Sequence, residues 1–571
     1  MKNATVEAPV KIKNALLETW SADINIREYF IQYGSPAYIV SQKQLEHNVN
    51  EFSRFTRNSG NIMFPVKTNP SLVVLEVLAG LGVGADCANR QEIDLALFAG
   101  IPYERISYNC PVQDVCLSTN LLKQGAIVVM DDPDAIVKVQ QRLKGRSFPG
   151  QLWLRVNPGS DIRYENTNDN QELMSHAASS SKFGIPAEDL IPFVKELNMP
   201  VSGLHVHVGT QMDNITSFVN SMNDMHQLAE ELIAMGHDTR HLDVGGGLGI
   251  PFQEGDKFPS LSLWVEEMIA LKKKGFQYYV EPGHALVGNA VALLTKVETI
   301  KKSRNKRWLI TDVGTDQLAK VTLLRWPHRI LGPDGENLSA KGNDAIAGPL
   351  CFAGDILLDN IDAGEIKPGE PLLITHAGAY TYSLSNRFNG RQAPAWILID
   401  EQGHQKKINN EGRYDNPHLT NYFWDMRNEA DHAETLSPEK INDLSSIYLT
   451  QWAKEDSFEY LHMAQTGERS YEVDVMTHSR VSFISMPFAI RIFGDAVIVS
   501  ALHQLKAEKK EAPIWGRKLN LDCFGQVKTG TPVRIRISFS NPLKELNGTN
   551  SMIARFETEC WNCTGNLVLK F

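Results

Sequence analysis

Residues 36–300 alternate between short apolar segments and longer segments with a helical spacing of apolar side chains. Strand-like segments such as 62–66, 106–108 and 151–156 are separated by helical segments such as 215–235. Repeated strand–helix units predict right-handed crossovers and a parallel sheet. About eight such units over ~245 residues suit a closed α/β barrel of the TIM type, and an open doubly wound sheet is the main alternative.

The rest of the chain has a different character. Residues 290–400 contain strand-like segments between Gly and Pro turns, without long helices, which indicates a mainly β domain. Residues 401–440 are polar and are interpreted as a connecting segment, whereas residues 441–571 combine one long helical segment, 483–505, with several strands. The chain is therefore predicted to contain a barrel, a β domain and a C-terminal α+β domain.

Composition excludes several classes of function. The net charge of −10, from 57 Lys and Arg against 67 Asp and Glu, disfavours nucleic acid and anionic membranes as partners. We expect neither a membrane span nor a secretory leader, because no apolar stretch is long enough. The seven cysteines, an odd number, favour reduced thiols in a cytoplasmic protein. No metal is predicted, since the Cys560–Cys563 pair lacks the second pair that a structural zinc site needs.

Several residues at predicted strand ends and turns have chemical potential. Lys67 follows a strand, where a lysine of lowered pKa can bind a carbonyl carbon. His205 and His207 share one face of a strand, where one can stack on a flat ring or both can bind a metal. Gly245–Gly247 offer backbone N–H groups that can close on a phosphate. Each feature alone is explained as well by a turn, a solvated lysine or a buried histidine.

Taken together, the order and spacing of the motifs resemble the fold type III pyridoxal-phosphate decarboxylases, the family of diaminopimelate and ornithine decarboxylases. The resemblance covers about residues 30–400 and rests on the segments YGSPAYIV (33–40), PVKTNP (65–70), LRVNPG (154–159), SKFG (181–184), GLHVHVGTQ (203–211), DVGGGLG (243–249), EPG (281–283), CFAGD (351–355) and GAYTYSLSNRFNG (378–390). It implies pyridoxal 5'-phosphate as the cofactor and an alanine-racemase-type barrel at residues 42–284. The β domain would then combine residues 1–41 with residues 285–400.

The resemblance also implies roles for individual residues. Lys67 would hold the cofactor covalently through its amine, and His207 would stack on the pyridine ring. Glu281 would pair with the pyridinium nitrogen, so that the ring withdraws the electrons freed when CO₂ leaves. Asp86 and Arg155 match residues near the cofactor. The phosphate is expected at Thr210, Gly245, Gly246, Gly247, Gly283 and Tyr380.

A homodimer with shared active sites is a further implication of the resemblance. Cys351 matches a cysteine that the family brings from the other protomer, where it protonates the carbon that has lost CO₂. Lys182 and Asp355 match an ion pair between protomers. Each active site would therefore need residues from two copies of the chain.

Three departures from the family pattern concern the far end of the substrate. Phe352 stands where the family has an acid for a distal amino group, and His284 stands where it has an arginine for a distal carboxylate. Arg325 matches the family's arginine–proline pair only loosely. These changes predict an amino acid with a neutral or modified far end, including one carried as a thioester of coenzyme A or an acyl carrier protein, and poor turnover of free diaminopimelate and ornithine.

Three other functions are weighed against that prediction. The first is decarboxylation of a free amino acid of the diaminopimelate or ornithine type. The second is racemisation or epimerisation with the same cofactor, which requires acid and base groups on both faces of the substrate carbon. The third is a non-catalytic scaffold that binds a carrier protein, although the intact Lys67, Glu281, Cys351 and Tyr380 speak against it.

Residues 441–571 lie outside the decarboxylase pattern. A long helix followed by strands, with Gly525–Val533 in a G-x-V-x-x-G-x-x-V arrangement, resembles a hotdog domain, although Thr531 replaces the usual Asp. Hotdog domains bind acyl thioesters, which connects this domain to a carrier-linked substrate. The polar residues that we would test there are His478 and the pair Glu557 and Glu559.

Overall fold

The structure is a computed structural model, which describes residues 20, 24–159, 164, 175–253, 255–338, 341–408, 434–435, 457–478, 486–505, 515–523, 532–540, 543–544, 550–558 and 563–570. The chain divides into two compact units, residues 1–93 with 103–422 and residues 94–102 with 423–571. No helix of this described part is both long and apolar enough to cross a membrane.

The first unit begins with the helix Ile26–Tyr33 and the strand β1, Ala37–Ser41, and continues into the barrel. The barrel strands are β2 (Met63–Pro65), β3 (Gly84–Cys87), β4 (Ile106–Asn109), β5 (Ile127–Met130), β6 (Gln151–Asn157), β7 (Ile185–Pro186), β8 (Gly203–His205), β9 (His241–Asp243) and β10 (Gln277–Tyr279). The helices between them are Gln42–Thr56, Leu72–Gly80, Arg90–Phe98, Val115–Gln124, Pro133–Leu143, Ala187–Glu196, Thr216–Ala234 and Leu261–Ala270.

The barrel is closed by parallel pairing in the order β10-β9-β8-β6-β5-β4-β3-β2, with β7 paired to β6. Closure occurs where the Met63 N–H donates to the Val280 carbonyl at 2.8 Å and the Val280 N–H donates to the Asn61 carbonyl. The predicted barrel is thereby confirmed over the open-sheet alternative.

The barrel interior is packed rather than hollow. Met63, Ile127, Val129, Trp153 and Tyr279 form one buried cluster, although they belong to β2, β5, β6 and β10, which are not all neighbours in the sheet. Contact between such strands passes through the interior of a barrel. Because side chains fill that interior, the carboxyl ends of the strands are left as the place for a ligand site.

The β domain follows the barrel along the chain. Its strands are β11 (Val291–Ser303), β12 (Lys306–Thr311), β13 (Ile330–Leu331), β14 (Lys341–Ala347), β15 (Ile356–Ile361), β16 (Pro371–Ile374), β17 (Ala395–Ile399) and β18 (Gln405–Ile408), with the short helices His284–Val287 and Ala319–Leu324. The main path of the sheet is β15-β14-β12-β11-β1-β17-β18, and β16 pairs with β11 and β13. Strand β1 thus pairs between β11 and β17, so it belongs to this sheet. The predicted division of the chain into domains stays a prediction.

The second unit contains the strands β19 (Glu434–Thr435), β20 (Ser457–Gly467) and β21 (Ser470–His478), the helix Met486–Gln504, and the strands β22 (Trp515–Cys523), β23 (Pro532–Phe539), β24 (Leu543–Lys544), β25 (Asn550–Thr558) and β26 (Cys563–Lys570). The sheet is antiparallel in the order β19-β20-β21-β23-β25-β26-β22, and the helix buries Ile492, Phe493 and Val497 in the core of this unit.

An α+β arrangement agrees with the sequence analysis, although β20 and β21, which precede the helix, were not predicted. The assignment of this unit as a hotdog domain stays a prediction. The candidate His478 is exposed and contacts Glu459, Glu557 contacts Arg536, and Glu559 lies outside the described residues.

Candidate active site

Lys67 lies just beyond the carboxyl end of β2, in a short 3-10 turn at Val66–Thr68. Its Nζ is 3.1 Å from Oδ2 of Asp86, which belongs to the neighbouring strand β3 and pairs in register with Pro65. Burial alone would lower the pKa of Lys67, but the charges of Asp86, Tyr380 and Glu281 raise it above its usual value. The lysine amine is therefore held in a cluster of acidic groups.

Glu281 and His205 come together at the ends of β10 and β8. Both side chains are buried, and His205 Nε2 donates to Glu281 Oε2 at 3.1 Å. Asp243, the last residue of β9, accepts a hydrogen bond from the Gly245 N–H at 2.8 Å. Parallel strands present their carboxyl ends on one side of the barrel, which explains why residues so distant in sequence meet here.

The carboxyl groups at this end of the barrel differ in charge state. Burial would raise the pKa of Glu281, but His205, Lys67 and Arg155 lower it below its usual value. Burial raises the pKa of Asp86 to about 7, with Glu281 adding to the rise and Lys67 opposing it. Burial, followed by the charge of Glu281, raises the pKa of Asp243 well above its usual value. Glu281 is therefore the carboxylate that stays ionised at neutral pH.

The ionised Glu281 has one oxygen ready for a ligand. Its Oε1 is buried and makes no hydrogen bond to any other described residue. A buried carboxylate oxygen without a donor is costly, and a protonated heterocyclic nitrogen would satisfy it. The site therefore fits pyridoxal phosphate. Ligand atoms of His205, Asp243 and Glu281 also lie within 4.8 Å of one another, close enough for these three described residues to hold a metal ion.

The predicted phosphate-binding glycines form a tight cradle. A Cβ on Gly246 would lie 1.9 Å from the Glu281 carbonyl oxygen, and one on Gly247 would lie 2.2 Å from the Gly209 carbonyl oxygen. Gly247 also has a φ of +111°, which favours glycine. Only glycine lets these backbone segments approach so closely. The Gly245 N–H donates to Asp243 Oδ1 and the Gly246 N–H to His207 Nδ1, which ties the glycine run to the neighbouring strand ends.

Gly283, Thr68 and Tyr380 meet beside Lys67. A Cβ on Gly283 would be 2.9 Å from Thr68 Oγ1 and 3.4 Å from Tyr380 Oη. The Tyr380 N–H donates to the Thr68 carbonyl at 2.9 Å, and Thr68 Oγ1 is buried without a described hydrogen-bond partner. Two predicted phosphate residues are thus brought together, and Thr68 joins them although sequence reasoning missed it. Thr210, also predicted, accepts at its carbonyl from Tyr164 Oη.

His207 and Arg155 occupy the same end of the barrel. His207 Nδ1 accepts from the Gly246 N–H at 3.0 Å, which fixes the ring relative to the glycine cradle. Arg155 is buried at 7% exposure, and its guanidinium carbon lies 4.4 Å from the centre of the Phe183 ring. Arg155 helps to lower the pKa of Glu281, and burial, with the charges of Arg155 and Lys67, lowers the pKa of His207, so both predicted residues belong to the same charged group at this end of the barrel.

Cys351 and Phe352 lie on an exposed loop of the β domain. Phe352 is 48% exposed, and the Cys351 N–H donates to Asn389 Oδ1 at 2.9 Å. Asp355, the predicted partner of Lys182, accepts from the Thr315 and Leu350 N–H groups of its own chain. The single chain does not test a pair between protomers, and the roles of Cys351 and Phe352 stay predictions.

His284 and Arg325, the other two residues predicted to select the far end of the substrate, lie in different surroundings. His284 is buried, and its ring centre lies 4.8 Å from that of Tyr380. Arg325 is exposed at the end of the helix Ala319–Leu324. The cation beside His284 is instead Lys320, which is fully buried and donates from Nζ to the Ala379 carbonyl at 2.8 Å. Lys320 lies six residues after Asp312-Val313-Gly314, and the loose alignment to Arg325 missed it.

The barrel matches a protein family whose model is described as the pyridoxal binding domain of pyridoxal-dependent decarboxylases, over residues 42–288. The diaminopimelate decarboxylase of Zymomonas mobilis is 28% identical over 407 residues, which cover 68% of this chain and 93% of that protein. The diaminopimelate decarboxylase of Aquifex aeolicus is 27% identical over 406 residues, which cover 70% of this chain and 94% of that protein. The solved Helicobacter pylori diaminopimelate decarboxylase with L-lysine has a TM-score of 0.60 at 24% identity, covering 66% of this chain and 95% of that chain.

Proposed function

We propose that the chain decarboxylates a free amino acid with an acidic far end. Its residues 42–288 match the pyridoxal-dependent decarboxylases, and it is a pyridoxal-phosphate-dependent carboxy-lyase. The proposal follows the relatives named diaminopimelate decarboxylase. It therefore adopts the free-substrate alternative of the sequence analysis in place of the carrier-linked main prediction.

The buried Oε1 of Glu281, which has no described hydrogen-bond partner, is the observation that carries the reaction class. An ionised carboxylate with a free buried oxygen holds a heterocyclic nitrogen protonated. When bound, pyridoxal phosphate takes up the electrons that the departing carboxylate leaves behind. Lys67 would hold it covalently, the Gly245–Gly247 cradle with Gly283 and Tyr380 would hold its phosphate, and His207 would cover its ring.

The acidic far end is inferred from a group of bases around the Phe252 ring, which we call the basic cluster: Lys320, His284 and His328. Lys320 Nζ lies 4.4 Å from the centre of the Phe252 ring, and the His284 and His328 rings lie 6.0 and 5.0 Å from it. All three side chains are buried. His284 directly follows Gly283 in the sequence, so the basic cluster adjoins the cofactor cradle.

Burial disfavours the charged forms of the basic cluster. It lowers the pKa of Lys320 well below its usual value, and no described carboxylate counters this. Burial, and then the charge of Lys320, lowers the pKa values of His284 and His328. The Nε2 atoms of both histidines lack described hydrogen-bond partners. An entering carboxylate would restore the charge of Lys320 and would accept a hydrogen bond from a histidine Nε2 when that ring is protonated, which favours a substrate that carries a carboxylate.

The expectation of a neutral far end rested on missing arginines, and Lys320 supplies the charge that the sequence analysis did not find. Phe352 keeps its predicted effect if a second protomer contributes it, because it cannot pair with a distal ammonium. We therefore propose an amino dicarboxylic acid as the preferred substrate, with diaminopimelate accepted less well and ornithine poorly.

A substrate panel tests the proposal with the full-length, cofactor-loaded protein. CO₂ release is measured for 2-aminopimelate, meso-diaminopimelate, ornithine and a thioester of 2-aminopimelate. We expect kcat/KM for ornithine to be about 10- to 100-fold below that for 2-aminopimelate, the worth of a hydrogen bond between charged groups. Turnover of the thioester alone would refute the free-substrate proposal, and equal turnover of ornithine would refute the acidic far end.

A further inference from the structure

His176 is fixed beside His207 by its own backbone. Ser175 forms an antiparallel bridge with Gly209, and the His176 N–H donates to the Val208 carbonyl at 3.1 Å. Val208 and Gly209 both lie within two residues of His207. The segment that carries His176 is therefore hydrogen-bonded to the segment that carries the histidine of the cofactor site.

The His176 side chain joins a column of rings. It lies nearly parallel to the Phe183 ring, at 5.1 Å and 14°, and perpendicular to the His207 ring, at 4.9 Å and 89°. Arg155 and Lys182 lie over the same Phe183 ring at 4.4 and 5.2 Å. An edge-to-face pair such as His176 and His207 has a preferred orientation, because the positive edge of one ring points at the negative face of the other.

Two contacts together determine the orientation of the His207 ring. The Gly246 N–H donates to His207 Nδ1 at 3.0 Å, so a neutral His207 carries its proton on Nε2. His176 then blocks rotation of the ring about its Cβ–Cγ bond. Burial, with the charges of Arg155, Lys67 and Lys182, lowers the pKa of His176 to about 4, so the neighbouring ring is also uncharged at neutral pH.

We propose that His176 is a positioning residue of the decarboxylase, which sets the plane of His207 by ring packing. The proposal rests on the proposed function, in that His207 is taken as the residue that covers the cofactor ring. His176 acts through His207 and needs no proton transfer of its own. The sequence analysis assigned it no role, because it lies outside the strand-end motifs.

Three variants of His176 test the proposal on the full-length protein: His176→Ala removes the ring, His176→Asn keeps a polar group without a ring, and His176→Phe keeps a ring without nitrogen. The readouts are the dissociation constant for pyridoxal phosphate and the visible circular dichroism of the bound cofactor. A third readout is kcat with KM. The exposed His47→Ala is the matched control.

We expect His176→Ala and His176→Asn to weaken cofactor binding about 2- to 12-fold, the range of an edge-to-face ring pair, and to change the dichroism. His176→Phe should restore both within about twofold, with kcat more affected than KM in the ringless variants. Wild-type behaviour of His176→Ala would overturn the proposal, and so would a His176→Phe variant as impaired as His176→Ala.

His207→Ala separates this inference from the proposed function. If His207→Ala leaves the dissociation constant and the dichroism unchanged, then His207 does not cover the cofactor and its assignment fails. If His207→Ala changes both while His176→Ala changes neither, the assignment of His207 stands and only the positioning role of His176 is overturned. The thermal unfolding of the cofactor-free variants shows whether each one folds.

Discussion

His205 Nε2 lies 3.1 Å from Glu281 Oε2, and both side chains are buried. This contact, with the charges of Lys67 and Arg155, outweighs the effect of burial and lowers the pKa of Glu281. The pKa of each carboxyl group at this end of the barrel is therefore set by its neighbours rather than by residue type, since burial and the charge of Glu281 raise the pKa values of Asp243 and Asp86.

Replacing His205 by leucine should shift the acid limb of the activity profile. Without the donor, burial raises the pKa of Glu281, so the ionised form needed for catalysis is lost at a higher pH. We expect kcat to fall about 10- to 100-fold at pH 7, the worth of a hydrogen bond to a charged group. The control is His404→Leu, at the exposed His404–Asp400 pair. A pH profile identical to that of the wild type would contradict this role of His205.

Replacing Asp86 by asparagine should speed cofactor loading at neutral pH. Covalent attachment requires the unprotonated amine of Lys67, and the charge of Asp86 raises the pKa of that amine. In Asp86→Asn less negative charge opposes the effect of burial, so the pKa of the Lys67 amine falls. The amine then loses its proton at a lower pH than in the wild type, and the loading rate rises at that lower pH. The rate is followed by absorbance after mixing the cofactor-free protein with pyridoxal phosphate. Asp134→Asn, on an exposed helix start, is the control, and superimposable rate–pH curves would disprove the prediction.

Gly246→Ala should impair cofactor binding. Its Cβ would meet the Glu281 carbonyl oxygen at 1.9 Å, so the backbone that carries Glu281 has to move. Overpacking of this kind destabilises proteins by about 1–3 kcal/mol, and we expect a weaker dissociation constant for pyridoxal phosphate. Gly80→Ala is the matched control, because nothing lies within 4 Å of its Cβ. Wild-type cofactor affinity in Gly246→Ala would show that the backbone of the cradle accommodates the added Cβ without loss of binding.

Lys320→Met should raise KM for an amino dicarboxylic acid about 10- to 100-fold while the dissociation constant for pyridoxal phosphate stays unchanged. The reason is that an amine is intrinsically more basic than an imidazole, so an entering carboxylate restores the charge of Lys320 more readily than that of His284 or His328. Arg325→Met, at the exposed end of the same helix, should change neither quantity. If Lys320→Met weakens cofactor binding and leaves KM unchanged, the basic cluster serves the cofactor phosphate instead.

Mixing two inactive variants should restore activity if Cys351 serves the site of a second protomer. Random exchange of Lys67→Ala with Cys351→Ala makes about half of the dimers mixed, each with one intact site, so about a quarter of wild-type activity should return. Light scattering of the wild type checks the oligomeric state, and mixing Lys67→Ala with Lys67→Arg is the control. No recovery from a mixture that demonstrably exchanges subunits would show that Cys351 does not serve the site of a second protomer.

The sequence predicted the barrel well because its strands and helices repeat with clear spacing. The eight predicted strand segments of the barrel all lie at strands of the structure, as 106–108 does at β4 and 151–156 at β6. Lys67, Glu281 and the Gly245–Gly247 run could be found because each belongs to a short, contiguous motif at a strand end. Such local patterns can be recognised in the sequence without knowing which strands are neighbours in the sheet.

The tertiary structure decided the protonation of the carboxyl groups in the site and which side chains lie next to one another. Which carboxyl group stays ionised depends on burial and on partners from other strands, so Glu281 and Asp243 could not be distinguished by sequence. His176 and Lys320 lie outside the strand-end motifs, and their positions beside His207 and His284 result from backbone pairing and helix packing. The sequence by itself determined the scaffold and the groups at its strand ends, because these follow local periodicity. The environment that sets their protonation depends on contacts between distant residues, which only the folded chain brings together.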